Sequence, residues 1–350
     1  MKPANANHTV PGMSRARRRR HMWTFSISLG ILISGLLLAY YVVVAVKPRV
    51  ARPTLGEADH MRIRELEQDL MKHVRSLALD IGPRSMWDPE GLARAASYIR
   101  ETWRAQGYAV HDEEYRIDGD SCANLWIEQD RAVGPDRILV VGAHYDSVAG
   151  QPGANDNASG VAALLEVSKA VRGFETACRI RFVAFVNEEP PHFASHRMGS
   201  RVHVQGSKER GEDIFAMIAL ETLGCYTEAQ GSQKYPFPFG LLYPSTGNFL
   251  TVVGNLSSRG LVVDVLGHFM RASDLPVEGV ASPGFVPGVY WSDHWSFWRA
   301  GISAVMLTDT APFRYRHYHS PLDLPDEINA RGFARAVHGI EHIVRGLASN

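Results

Sequence analysis

Three short apolar runs constrain the fold of this chain more than any other feature. Residues 137–143, 180–186 and 214–220 are rich in Ile, Val, Leu and Phe, and helical stretches near 158–172 and 194–208 separate them. A strand covered on both faces reads as a continuous apolar run rather than an alternating one. Strand and helix taken in turn predict an α/β fold, with a mixed, mostly parallel central sheet flanked by helices on both faces. The runs 249–253 and 302–307 add strands, and 328–348 closes the domain as a helix. Ahead of the sheet, Met61, Leu66, Leu70, Val74 and Leu77 recur at helical spacing over 60–79. A second helix is expected over 89–106, opened by Asp88 as cap and ended by Gly107. One domain over 59–350 accommodates all of this.

The segment before it is different in kind. Residues 1–21 form a basic N-terminus that includes Arg15, Arg17, Arg18, Arg19 and Arg20, and no charged side chain occurs from Met22 to Val46. As a helix, 25 residues rising about 1.5 Å each span a bilayer core of roughly 30 Å. Trp23 near one end and Tyr40 and Tyr41 toward the other suit the interfaces. A cleavable signal peptide has a shorter apolar core and a small-residue cleavage site. The reading is therefore one transmembrane helix over 22–46, followed by a tether over 47–58 containing Pro48, Pro53 and Gly56. The basic flank favours a cytoplasmic N-terminus, with the main domain on the non-cytoplasmic, periplasmic or extracellular side.

Charge excludes one class of partner. Residues 1–52 hold nine Lys or Arg and no acid, so the remainder carries 28 basic against 37 acidic residues, a formal −9. Nucleic acid is not an expected partner of such a domain, because phosphate binding needs clustered cations. Cys122, Cys178 and Cys225 are too few and too scattered for a disulfide framework.

Polar clusters fall where the strands end, and in an open α/β sheet ligands bind at those carboxyl ends. The first strand runs into His144, Tyr145 and Asp146, the second into Glu188 and Glu189, and the third into Glu221. Between the first two, the turn Gly153–Gly160 brings Asp156 to the start of an apolar helix. Singly, a strand-end His is an ordinary hydrogen-bonded residue, an Asp before a helix is a cap, and paired Glu residues are a solvated loop. Jointly, several carboxylates at one rim are strongly unfavourable without a compensating cation.

In this order the residues resemble the M28 family of zinc exopeptidases, which includes bacterial aminopeptidases. The shared motifs are His-x-Asp (His144, Asp146), the turn Asn155–Asn157, the pair Glu188–Glu189, the acid of Leu-Glu-Thr-Leu-Gly (Glu221) and the late His-Tyr-His-Ser-Pro (His317–Pro321). The resemblance implies two Zn2+ ions. His144 and Glu221 would hold one, Glu189 and His319 the other, and Asp156 would bridge them. It further implies Glu188 as general base, Asp146 as the partner of the second His144 ring nitrogen, and Tyr318 as a hydroxyl donor to the oxyanion. Peptides are the implied substrates and aminopeptidase the implied activity. Ser159 and Ser292 lie in no Gly-x-Ser-x-Gly elbow, which argues against a serine hydrolase.

Glu221 stands where many family members have Asp, and Pro190, Pro191, His192 and Phe193 replace a Gly- and Leu-rich stretch. Trp291–Trp295 is read as aromatic packing and kept out of the metal set. Carboxypeptidase activity stays open through Arg197, Arg201, Arg314 and Arg316, which could meet a terminal carboxylate. So do a one-zinc glutaminyl cyclase of the same fold and a non-catalytic, receptor-like ectodomain.

Overall fold

The computed structural model describes residues 23, 26–30, 32, 34–35, 44–48, 50–129 and 132–349. The expected membrane span lies mostly outside them. Among the described residues no helix is long and apolar enough to cross a membrane. One end of the span is corrected: Ala45–Val46 is strand β1, not helix. It pairs antiparallel with a later strand, Ala45 opposite Val280 and Val46 opposite Gly279. The β-branched run before Lys47 suits an extended edge as well as a helix.

Helix α1 (Glu57–Arg75) continues into a wider turn over Ser76–Ile81, so it begins inside the expected tether. Its buried face, Ile63, Leu66, Leu70 and Val74, has the predicted spacing. Helix α2 (Pro89–Ala105) starts with Pro in its first turn and buries Leu92, Ala95, Ile99 and Trp103. Strands β2 (His111–Ile117) and β3 (Asp120–Gln129) form a hairpin absent from the expected elements. Its Asp118–Gly119 turn has positive φ at both residues, 51° and 104°, the conformation that favours Asp-Gly in two-residue hairpins.

The expected core follows: β4 (Ile138–His144), α3 (Gly160–Val171), β5 (Arg179–Phe185), α4 (Gly199–Glu209) and β6 (Ile214–Glu221). Beyond it come β7 (Leu250–Gly254), α5 (Arg259–Ala272), β8 (Val277–Ala281), α6 (His294–Arg299), β9 (Ser303–Thr308), α7 (Ala311–Arg314) and α8 (Ala330–Ala348). The sheet order is β1-β8-β7-β9-β6-β4-β5-β3-β2. Only its centre is parallel: β5, β4, β6 and β9 run together, β7 and β8 run together, and the remaining neighbours are antiparallel.

The chain steps from β4 to β5 on one side, then crosses back over β4 to β6 on the other. Right-handed crossovers in opposite directions put α3 and α4 on opposite faces. Helices α1, α3, α5 and α8 pack together, and α4 packs against α6. The reversal opens a crevice at the carboxyl end of β4, the usual ligand position in such a sheet.

Candidate metal centre

Strand ends deliver the site. His144 is the last residue of β4 and Glu221 the last of β6, while Glu188 and Glu189 follow β5 by three and four residues. The chain then turns sharply: Asn187 and Thr222, next to the Glu residues, have φ of 61° and 47°. His319 itself has φ 53°. Left-handed backbone at non-glycine residues costs of order 1–3 kcal/mol and concentrates at functional sites.

Asp156 lies between two sets of donors. Its Oδ1 is 3.4 Å from His144 Nε2, which is also 3.3 Å from Glu221 Oε2. Its Oδ2 is 3.1 Å from His319 Nε2, which is 3.4 Å from Glu189 Oε2. Glu188 Oε2 stands 3.9 Å from His144 Nε2. All five residues predicted as metal ligands thus meet, together with the predicted base. Tyr318 stacks on His319 with ring centroids 3.9 Å apart.

The turn holding Asp156 is fixed by its neighbours. Asn155 and Asp156 donate their backbone N–H to the Asp323 carboxylate at 2.8 and 3.0 Å, and the Tyr315 hydroxyl donates to it at 2.9 Å. Asn157 accepts from Gly160 and Thr222 N–H and donates to the Leu220 carbonyl, lashing the turn to β6. Gly160 must be small, because a Cβ there would run into the Asn157 side chain and the Leu220 carbonyl. Asn155 and Asn157 therefore build the turn, and only Asp156 faces the cluster.

Asp146 lies beside the expected His144 ring nitrogen and has a second duty. The His144 Nδ1 nitrogen lies 3.2 Å from the Asp146 backbone carbonyl, with the carboxylate farther off at 3.5 Å. That carboxylate accepts the backbone N–H groups of Glu188 and Glu189 at 3.2 and 3.1 Å. It orients the Glu pair and lies beside the imidazole.

Two further residues, Arg84 and Asp323, had no part in the expected site, and a third, Ser292, had been set aside with the packing segment Trp291–Trp295. Arg84 is fully buried and donates to the carbonyls of Leu77, Gly82, Tyr145, Pro152 and Gly153. Burial lowers its pKa to about 10, against the carboxylates of Asp146, Asp323 and Asp156, so it stays charged at neutral pH. Ser292 donates to Glu221 Oε2 at 2.7 Å, which brings one member of the Trp291–Trp295 segment into the site. Asp323 follows His319 by four residues, and that proximity was its only signal.

The cluster is electrostatically unbalanced. Burial and the neighbouring carboxylates push Glu188 and Glu189 well above the usual carboxyl range, and Glu221 upward too. Burial would depress His144, but Glu221 and Glu188 hold it well above an ordinary histidine. Asp156 goes the other way: against burial, the hydrogen-bonding reach of His144 and His319 drives it far down. His144 Nε2, both Asp156 carboxylate oxygens and Glu189 Oε1 are nonetheless buried without a hydrogen-bond partner. Buried polar atoms are normally paired. Three three-residue sets, His144–Asp156–Glu221, Asp156–Glu189–His319 and His144–Glu188–Glu189, each have donor atoms within 4.8 Å of one another. Imidazole with carboxylate is a donor set suited to zinc.

Beside Glu221 and Tyr318 opens a cleft walled by Phe239, Phe249, Val289, Trp291 and Phe313. None of the four arginines considered for a terminal carboxylate is idle. Arg197 pairs with Asp118, Arg201 lies over the Trp295 ring, Arg314 donates to Gln233, Cys225 and Phe249, and Arg316 pairs with Glu327. Cys122, Cys178 and Cys225 are free thiols.

A histidine-carboxylate cluster at the carboxyl edge of the parallel centre of a mixed sheet defines a metal-dependent hydrolase of the α/β class. Sequence comparison makes this specific: the profile of peptidase family M28 matches residues 125–344, and the chain belongs to that family. It is 39% identical over 282 residues to Uncharacterized protein YfbL of Escherichia coli (strain K12), covering 78% of this chain and 86% of YfbL. Solved structures share the fold. The Bacillus subtilis zinc aminopeptidase BSAP aligns with TM-score 0.62 at 15% identity, over 81% of this chain and 95% of its own. A glutaminyl cyclase from Fimbriiglobus ruber aligns with TM-score 0.59 at 19% identity, over 86% and 99%.

Proposed function

We propose that this protein is a membrane-anchored aminopeptidase that works with two zinc ions. The observation that carries the reading is Asp156, whose two oxygens face separate His–Glu pairs. A cyclase with one zinc would need only one of those pairs. His144 and Glu221 would hold the first ion and Glu189 and His319 the second, with Asp156 shared between the two sets. Zinc held there would supply Lewis-acid polarisation of the scissile carbonyl and acidify water.

The chain's own residues do the rest. Glu188, buried beside His144 but outside the ligand pairs, takes the proton of the attacking water and passes it to the leaving amine. Burial and the surrounding carboxylates keep the Tyr318 hydroxyl protonated, so it donates toward the carbonyl oxygen as negative charge develops. The acidic rim receives the substrate's α-ammonium group. The apolar cleft takes the side chain of the first residue, and the arginines a carboxypeptidase would use are engaged elsewhere.

The anchor reading rests on the uncharged stretch from Met22 and the arginines before it. It puts the catalytic domain on the non-cytoplasmic side. The cleavage mode is tested with one tripeptide in N-acetylated and C-amidated forms. The amidated form should lose its first residue and the acetylated form none. Efficient removal of the last residue from the acetylated peptide would overturn the assignment.

A further inference from the structure

We infer that the domain carries another transition-metal site, apart from the catalytic cluster, formed by Asp59, His338 and His342. His338 and His342 are four residues apart on α8 and so share one face of the helix. Their ring centroids are 5.1 Å apart. Asp59, in the first turn of α1, reaches the same face, with its Oδ1 3.4 Å from His338 Nε2. The three donor atoms lie within 4.8 Å of one another.

These distances are near those of a coordination sphere. Donors bound tetrahedrally at about 2.0–2.1 Å sit roughly 3.4 Å apart. The Asp59–His338 pair has that spacing already. It exceeds the usual range for a good N–H···O hydrogen bond, about 2.7–3.2 Å. His342, partly exposed, closes the set by rotating its side chain toward the other two.

His338 is 2% exposed, and its Nδ1, the ring nitrogen other than the one facing Asp59, has no hydrogen-bond partner, so no hydrogen bond from that side fixes the ring. A metal binds the neutral imidazole, so positive charge close to the site opposes binding. Arg345 is the adverse charge. Its guanidinium donates to the Ala170 carbonyl and lies over the Phe174 ring, while the Asp59 carboxylate offsets its field.

Two imidazoles and one carboxylate select Zn2+ or a neighbouring late first-row ion over Mg2+ or Ca2+, which take oxygen donors. Water completes the sphere. The ion clamps the first helix of the domain to its last, next to the tether, and so has a structural role.

The test is zinc content. The full-length chain and the variants His342→Ala, Asp59→Asn and His268→Ala are dialysed against zinc and then against metal-free buffer, and bound metal is counted per chain. His342→Ala and Asp59→Asn should each hold one zinc fewer than the parent. His268→Ala, which removes a neighbouring histidine from the same surface, should match the parent. Added zinc should raise the Tm of the parent more than that of His342→Ala. Equal zinc in parent and His342→Ala, or an equal loss in His268→Ala, overturns the site. Neither readout requires peptidase activity.

Discussion

Replacing Arg84 by Lys keeps the charge and removes the geometry, so it separates two reasons for a buried arginine. The guanidinium contacts five carbonyls, three of them in the segment Tyr145–Gly153 that links β4 to the Asp156 turn. An ammonium has three N–H donors, which leaves at least two buried carbonyls unpaired. Each costs about 1–3 kcal/mol, so the expected loss is roughly 2–6 kcal/mol, a large share of a typical stability of about 5–15 kcal/mol. Urea denaturation followed by circular dichroism measures it, with the midpoint falling and the slope unchanged. Because the loosened segment leads directly to Asp156, zinc content should fall in the same variant even where it is folded. A Lys variant within about 1 kcal/mol of the parent would show that charge alone suffices and that the fork of donors is dispensable.

Other outcomes follow from the same geometry. Glu188→Gln should keep its metal and lose turnover by roughly 10²-fold or more, whereas Glu189→Gln should lose zinc; equal zinc loss in both would refute that division. Ser292→Ala removes the hydroxyl on Glu221 and should weaken zinc binding without unfolding the domain, as read by chelator competition. Glu212 is a pH probe remote from the site. Burial would raise its pKa, but hydrogen bonds from the Arg181 and Arg210 guanidiniums hold it far below the usual range. Its contribution is therefore present above the unfolded carboxyl pKa of about 4.3 and lost as pH falls toward the folded value. The stability gap between the parent and Glu212→Gln should shrink steadily below about pH 5; a gap independent of pH would contradict the pairing. Protease added to intact cells should degrade the main domain, and protection until lysis would reverse the membrane orientation.

The sequence was most legible where one physical demand acted alone. Strands β4, β5 and β6 are covered on both faces and are mostly apolar, Arg181 on β5 being buried through its pairing with Glu212, and their boundaries fall within a residue or two of the runs. The β2–β3 hairpin was harder to see because β2, His-Asp-Glu-Glu-Tyr-Arg-Ile, is mostly exposed and carries no apolar run. The Asp118–Gly119 turn was its only strong mark. Helix α5 and strand β8 were missed because glycines interrupt both patterns, Gly260 and Gly267 in the helix and Gly279 in the strand. Of the site, the metal-facing residues were legible and their supports were not. His144, Asp156, Glu189, Glu221 and His319 are types with few uses in combination. Arg84, Ser292 and Asp323 are common residues that matter only through where the fold carries them.

Asp146 shows why the supports matter as much as the ligands. Beside a histidine ligand, a carboxylate is most simply assigned to that imidazole. Here it spans the crevice from the end of β4 to the loop after β5, where its two oxygens accept successive backbone N–H groups. Successive residues on an extended strand point to opposite faces, yet Glu188 and Glu189 must both reach the cluster from one chain segment. The left-handed turn at Asn187 bends the backbone, and Asp146 holds the bend by both following N–H groups. One carboxylate thereby fixes the separation between the proposed base and its neighbouring ligand. That separation lets Glu188 stand 3.9 Å from His144 while Glu189 faces His319 at 3.4 Å. The proposed division between proton transfer and metal binding thus has its origin in a backbone contact that neither Glu side chain makes.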